Sequence, residues 1–222
     1  MKIDKRKHYV LMLDTETAND LDHPLVYDIG FAVADTKGHI YERYSFIVKE
    51  IFCDEKDLMK SSYFAVKIPR YWEEIKQGKR QIKSYYNIRK TMVEVMRKYG
   101  IKEVSAHNAR FDYRSTNLTQ RWLTKSKFRY FFPYGTIFWD TLQMARDVML
   151  QMPTYCQFCE DWDLLTANGK PKATAEALYA YIINDPTFEE SHTALEDVEI
   201  ETAILAYCFK QHKKMRKCLW GE

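Results

Sequence analysis

The apolar run Tyr9 to Leu13 reads as a buried strand, and it stops at Asp14, with a second acid at Glu16. Two carboxylates are therefore expected at a strand's end, where a buried sheet has least use for charge. The same placement recurs twice more. Asp112 closes the segment His107-Asn108-Ala109-Arg110-Phe111-Asp112, and Asp197 lies in Ser191-His192-Thr193-Ala194-Leu195-Glu196-Asp197, five residues after His192. Each cluster follows or opens an element that can aim its carboxylate inward.

Around these clusters the chain alternates. Tyr27 to Val33 and Ile40 to Val48 read as further strands, with Ile40, Tyr44, Phe46 and Val48 on one face that Glu42 interrupts and a turn at Lys37-Gly38. Ile88, Met92, Val95, Met96 and Tyr99 follow helical spacing over Ser84 to Tyr99, with Gly100 as the C-cap, and a strand is expected around Val104. Helices are predicted over Asp112 to Leu123, Trp139 to Leu150, Lys172 to Ile183 and Thr193 to Phe209, and a strand over Tyr134 to Phe138. A meander followed by alternating strands and helices implies an α/β chain, a mixed sheet with helices packed on it.

With 222 residues, 46% of them hydrophobic, one sizeable core needs no second domain. The expectation is a single domain over 1–222 with elaborations near 51–83 and 151–171. A formal charge of +3 leaves any nucleic-acid partner to local basic patches. Five unevenly spaced cysteines do not make a disulfide scaffold and point to a reducing, intracellular, cytoplasmic setting. The apolar run before Asp14 is too short for a signal peptide or a membrane span, so no membrane partner is expected.

Four carboxylates in one pocket repel one another unless cations neutralise them. Two Mg²⁺ or Mn²⁺ ions would balance the charge. Hard oxygen ligands suit those ions, and a pair roughly 3.5 to 4 Å apart stabilises both attacking and leaving oxygens in displacement at phosphorus. The chemistry also wants a base, and His192, with an ordinary imidazole value of about 6.5, is the candidate. The alternative for His192 is a plain start to the last helix, with Ser191 as cap.

Taken together, Asp14-Thr15-Glu16-Thr17 after an apolar strand, His107 to Asp112, and His192 with Asp197 in H-x4-D resemble the three ordered motifs of the DEDDh, or DnaQ-like, exonucleases, the group of polymerase proofreading subunits, ribonuclease T and oligoribonuclease. Asp140-Thr141-Leu142 with Ala145-Arg146 is similar to a further segment of that family, and the resemblance spans Tyr9 to Cys208. It implies a ribonuclease-H-like fold and a 3′ to 5′ exonuclease that releases nucleoside 5′-monophosphates from single-stranded ends, DNA favoured and RNA admissible. Asp14, Glu16 and Asp197 would ligate one metal, Asp14 would reach the second, and Asp112 would help to hold that second ion directly or through water. His192 would activate water; Thr15, Thr17, Asn108 and Phe111 would lie beside the terminal nucleotide, with Glu16 accepting from its 3′-hydroxyl. A different class is a nucleic-acid-binding subunit of a polymerase assembly with negligible cleavage.

Other features carry lighter readings. His107 reads as a structural histidine and Glu201 as an exposed helix charge in preference to a partner of the metal site. Ser61 to Lys83, with Tyr63, Phe64, Tyr71 and Trp72 among Lys67, Arg70, Lys76, Lys79 and Arg80, and Lys125 to Phe132 could stack bases and neutralise phosphates. Core aromatics with solvating cations are the weightier reading of both. Cys156 and Cys159 could join Cys208 and His212 around zinc, though reduced thiols are the simpler expectation.

Overall fold

The computed structural model describes residues 3–62, 65–124 and 129–220. Its sheet contains β1 (Tyr9–Ala18), β2 (Leu25–Asp35), β3 (Ile40–Val48), β4 (Gln81–Lys83), β5 (Glu103–Ala106) and β6 (Ile137–Asp140), in the order β4-β3-β2-β1-β5-β6. The first three strands form an antiparallel meander, while β4, β5 and β6 join in parallel. Helices α1 (Lys49–Phe52), α2 (Lys56–Lys60) and α3 (Ile68–Lys76) fill the stretch between β3 and β4. Then α4 (Tyr85–Tyr99) leads into β5 and α5 (Ala109–Leu123) separates β5 from β6. After β6 come α6 (Thr141–Val148), α7 (Pro153–Asp161), α8 (Ala175–Ile183) and α9 (Ala194–Lys210). The mixed, helix-covered α/β sheet is the expected class.

Two boundaries depart from expectation in ways that bear on the site. β1 runs on through Ala18, so Asp14 and Glu16 lie inside the strand and not at its end: pairing with β2 continues past them, with a register slip between Glu16 and Thr17. Such a bulge re-aims side chains locally. β6 begins only at Ile137, because Pro133 to Thr136 turn instead, leaving Tyr134 fully exposed.

Alternation along β1 and β2 divides the core. Leu11, Leu13, Ile29, Phe31 and Val33 pack with Tyr85, Ile88, Met92 and Val95 of α4 on one face. On the other, Val10, Met12, Ala32 and Ala34 meet Met144 and Val148 of α6, Leu178 of α8, and Val198, Ile204 and Leu205 of α9. The second face is lined by small residues on β2, and Gly30 continues it. A Cβ at Gly30 would lie 2.6 Å from the Ala194 carbonyl oxygen and closer still to the Ala194 carbonyl carbon and the Leu195 nitrogen. The first turn of α9 therefore rests on bare β2 backbone, the close approach that a glycine within a strand permits.

Two residues earlier, fully buried Asp28 holds the same turn. Its Oδ2 accepts from the Ala194 backbone N–H at 3.2 Å, from Tyr71 Oη at 2.9 Å and from Arg80 Nη1 at 2.9 Å. Arg80 also donates to Ser45 Oγ at 3.0 Å and to Glu74 Oε2 at 2.5 Å. The aromatic and basic residues of 61–83 are thus partly core: Tyr71 and Arg80 are buried, while Trp72 remains 40% exposed. Tyr63 and Phe64 lie outside the described residues, as do residues 125–128 of the second segment, whose Phe131 and Phe132 are buried. Among the described residues, no helix is long and apolar enough to cross a membrane.

Replacing Gly30 by alanine forces a methyl group into α9 backbone that cannot rotate away. Gly30→Ala is expected to lower folding stability by about 3 kcal/mol or more, toward the upper end for overpacked sites. Urea unfolding measures it, and an unchanged midpoint would contradict the close approach.

Candidate metal centre and active site

Asp14 and Glu16, two apart on β1, project to the same face as Val10 and Met12, toward α9. There Asp197, in the first turn of α9, meets them: one carboxylate oxygen from each of Asp14, Glu16 and Asp197 lies within 4.8 Å of the other two. Gly30 is the cross-strand partner of Asp14, so the glycine that admits α9 sits directly beside the acid that α9 must reach.

Asp112 arrives from a third direction. Asn108, in a left-handed conformation with φ 65°, turns the chain from β5 into α5 and sets Asp112 in that helix's first turn. Asparagine is among the residues that tolerate this region. Asp140 fixes the turn, its Oδ1 accepting from the Asn108 and Leu142 backbone N–H groups at 3.0 Å each, so that one carboxylate also caps α6. The Thr15 hydroxyl donates to Asp112 Oδ1 at 2.8 Å and thereby ties β1 to α5.

His192 stands in the turn immediately before α9, with φ 51° and a side chain 44% exposed. The helix starts at Ala194, and Asp28 accepts the N–H of that residue, so the reading of His192 as a capped helix start does not describe it. Lys67 Nζ holds the turn, donating to the carbonyls of Ser191 at 2.7 Å and His192 at 3.2 Å. Glu196 adds a second tie, accepting from Ser191, from Thr193 Oγ1 at 2.8 Å and from Arg70 Nη2 at 2.9 Å. The imidazole Nδ1 lies 3.7 Å from Glu190 Oε2, and Glu176, Glu190 and His192 form a second group with ligand atoms within 4.8 Å. Glu190 couples the two groups electrostatically: it raises Asp197, while burial and Glu176 lift Glu190 itself to about 6.

The electrostatics match a site built for cations. Burial pushes the Glu16 carboxyl up to about 9, with Asp197 and Asp28 adding repulsion, and pushes Asp197 up to about 8, with Glu190 and Glu196 contributing. Burial also lifts Asp112 to about 7 against the opposing Thr15 hydrogen bond. Asp14 is held well above the usual carboxylate range by burial, then by Asp112, Glu201, Glu16 and Asp197. Lys67 and His192 are both lowered, chiefly by burial, and Lys67 further disfavours the imidazolium. Asp197 Oδ1 has no hydrogen-bond partner despite being buried. An all-oxygen donor set with an orphaned oxygen fits a hard divalent cation such as Mg²⁺ or Mn²⁺.

Of the expected nucleotide neighbours, Asn108 is exposed and Thr17 and Phe111 are half-buried, whereas Thr15 is buried and its hydroxyl serves Asp112. His107 is structural, with Nε2 2.8 Å from the Ala173 carbonyl oxygen and Nδ1 3.0 Å from Thr141 Oγ1. Glu201 corrects the sequence reading. It is 3% exposed, because α9 turns that side toward the acids and not toward solvent. Cys156, Cys159, Cys208 and His212 do not assemble: the two potential ligand groups among the described residues contain no cysteine. Sequence reasoning did not single out Gly30, Asp28, Glu190 or Glu176. A glycine inside an apolar strand and an acid two residues from His192 were the available signals.

No protein-family model and no curated protein matches this chain. Solved structures do. A moderately thermophilic exonuclease I from Methylocaldum szegediense aligns with TM-score 0.57 at 18% identity over 93% of this chain and 41% of that one. E. coli exonuclease I in complex with a 5cy-dT13 oligonucleotide aligns with TM-score 0.56 at 12% identity, again over 93% and 41%. Cell-death related nuclease 4 aligns with TM-score 0.53 at 12% identity over 95% of this chain and 67% of that one. At these identities the shared property is the fold, the ribonuclease-H-like mixed sheet of the exonuclease structures, and this chain spans about two fifths of the exonuclease I chains.

A carboxyl whose folded value is raised stabilises the fold below its unfolded value near 4, and that stabilisation is lost as pH climbs through the folded value. With Asp112, Asp197 and Glu16 at about 7, 8 and 9, the melting temperature in EDTA should fall as the pH rises from about 4 and level off as it passes those values. Mn²⁺ or Mg²⁺ favours the ionised forms, so the increment it adds should grow over the same interval. Differential scanning calorimetry reads both, and an increment independent of pH would count against metal binding at these acids.

Proposed function

We propose that this chain is a metal-dependent 3′ to 5′ exonuclease acting on single-stranded nucleic-acid ends, DNA favoured and RNA admissible. The observation that carries the reading is the convergence of Asp14, Glu16 and Asp197, from a strand and a distant helix, beside the histidine-bearing turn. The neighbours add support, since proteins of this fold include an exonuclease crystallised with an oligonucleotide.

Asp14, Glu16 and Asp197 would hold one Mg²⁺ or Mn²⁺, and Asp14 with Asp112 would hold a second, Asp112 directly or through water. Bound divalent ions neutralise the acids and stabilise negative charge on the attacking and leaving oxygens at phosphorus. His192 takes the proton from the attacking water at an imidazole nitrogen, and its lowered value keeps that nitrogen free near neutral pH. The new bond joins the water oxygen to phosphorus while the bond to the 3′-oxygen of the preceding nucleotide breaks, releasing a nucleoside 5′-monophosphate. Lys67 fixes the backbone from which His192 projects, and Glu190, 3.7 Å from Nδ1, orients the ring. Asn108, Phe111 and Thr17 line the approach, and Glu16 accepts from the terminal 3′-hydroxyl.

End-labelled single-stranded DNA and RNA should be shortened from the 3′ end with Mg²⁺ or Mn²⁺ and left intact in EDTA. Asp14→Ala and His192→Ala should each lower the rate by at least about 100-fold, the scale of general-base contributions. Binding without shortening would favour the non-cleaving subunit, and cleavage of circular single strands would show internal cutting.

A further inference from the structure

One turn beyond Asp197, α9 places a second carboxylate on the same side of the helix. Glu201 is 3% exposed, and its Oε2 is one of three buried side-chain polar atoms without a hydrogen-bond partner among the described residues. Burial raises its carboxyl well above the usual carboxylate range, and only the backbone of His107, just beyond β5 and near the turn that delivers Asp112, opposes that rise among its strongest influences. The charges that act on it most strongly, Asp112, Asp197 and Glu190, are all acidic. A buried carboxylate with a bare oxygen, set mainly among other acids, costs stability. Lone pairs aimed into an oxygen-lined pocket suit the hydrogens of water molecules that surround a cation. Asp112 is the charge that raises Glu201 most, and Glu201 in turn raises Asp14, so this carboxylate shares the field of those two acids.

We propose that Glu201 is a positioning residue for the ion shared by Asp14 and Asp112, accepting hydrogen bonds from that ion's water ligands through Oε2. The inference rests on the two-ion reading. It makes the pocket five-acid, with the fifth member acting across water. Loss of such an indirect partner commonly weakens metal binding 10- to 100-fold.

Mn²⁺ titration followed by the electron paramagnetic resonance of free ion, together with thermal melts with and without Mn²⁺, separates the outcomes. Wild type, Glu201→Gln and Glu201→Met are compared, the last being similar in volume and unable to accept the same bonds. The expected result is a variant whose melting temperature in EDTA equals or exceeds that of wild type, whose weaker Mn²⁺ step loses about tenfold or more in affinity, and whose stronger step is unchanged. A variant that binds both ions as wild type does overturns the proposal. So does one that melts lower in EDTA while keeping both affinities, since that is a purely structural role. If wild type itself binds no Mn²⁺, the metal reading fails first, and the comparison shows it before any variant is considered.

Discussion

The contact between the first turn of α9 and the bare backbone of β2 at Gly30 is the constraint from which the rest of the structure follows. Asp197 can meet Asp14 and Glu16 only because a helix backbone lies where a side chain would otherwise be. Electrostatics alone would drive these acids apart, since each buried carboxyl raises its neighbours. Packing therefore assembles the pocket against its own charge. The apolar contacts of Val198, Ile204 and Leu205 with Met12, Ala32 and Ala34 supply the opposing favourable term.

The stretch between β3 and β4 belongs to the same construction. Asp28 collects Tyr71, Arg80 and the Ala194 N–H around one carboxylate, while Lys67 and Arg70 grip the turn and the first helical residues on either side of His192. Arg80 is buried, Lys67 half-buried and Arg70 exposed, yet each spends its charge on carboxylates or carbonyls of the protein itself, which distinguishes them from a row of lysines awaiting phosphates. Breaking a buried pair such as Asp28 with Arg80 leaves a charge without compensation, typically a loss of 3–5 kcal/mol. The helical insert and the placement of His192 are thus one mechanical unit.

Much of this was legible in the sequence, for identifiable reasons. β3 spans the expected Ile40 to Val48, and α4 has the expected stop at Gly100, in a left-handed conformation, after a start capped by Ser84. Local chemistry decides such boundaries. The acids stood out because charge in an apolar run has few structural uses. What escaped depended on partners far away in the chain. Asp14 and Glu16 interrupt the apolar pattern, so β1 read as ending early although its pairing continues to Ala18. Glu201 sits four residues from Asp197, the spacing of an ordinary surface pair on a helix, and its burial follows from what packs opposite. The importance of Gly30 was visible only as a glycine within a strand, a signal that names a close approach without naming what approaches.

The protons on these carboxyls have a further significance. Without a metal they are the counter-ions that let the fold tolerate its own pocket, so loading the site with a divalent ion would be an exchange of one kind of cation for another. Each arriving divalent ion would have to evict hydrogen ions into solution, and its apparent affinity would be a shared property of metal and acidity. A pocket built this way would be self-gating: acidification would discharge a bound metal and at the same moment steady the emptied fold.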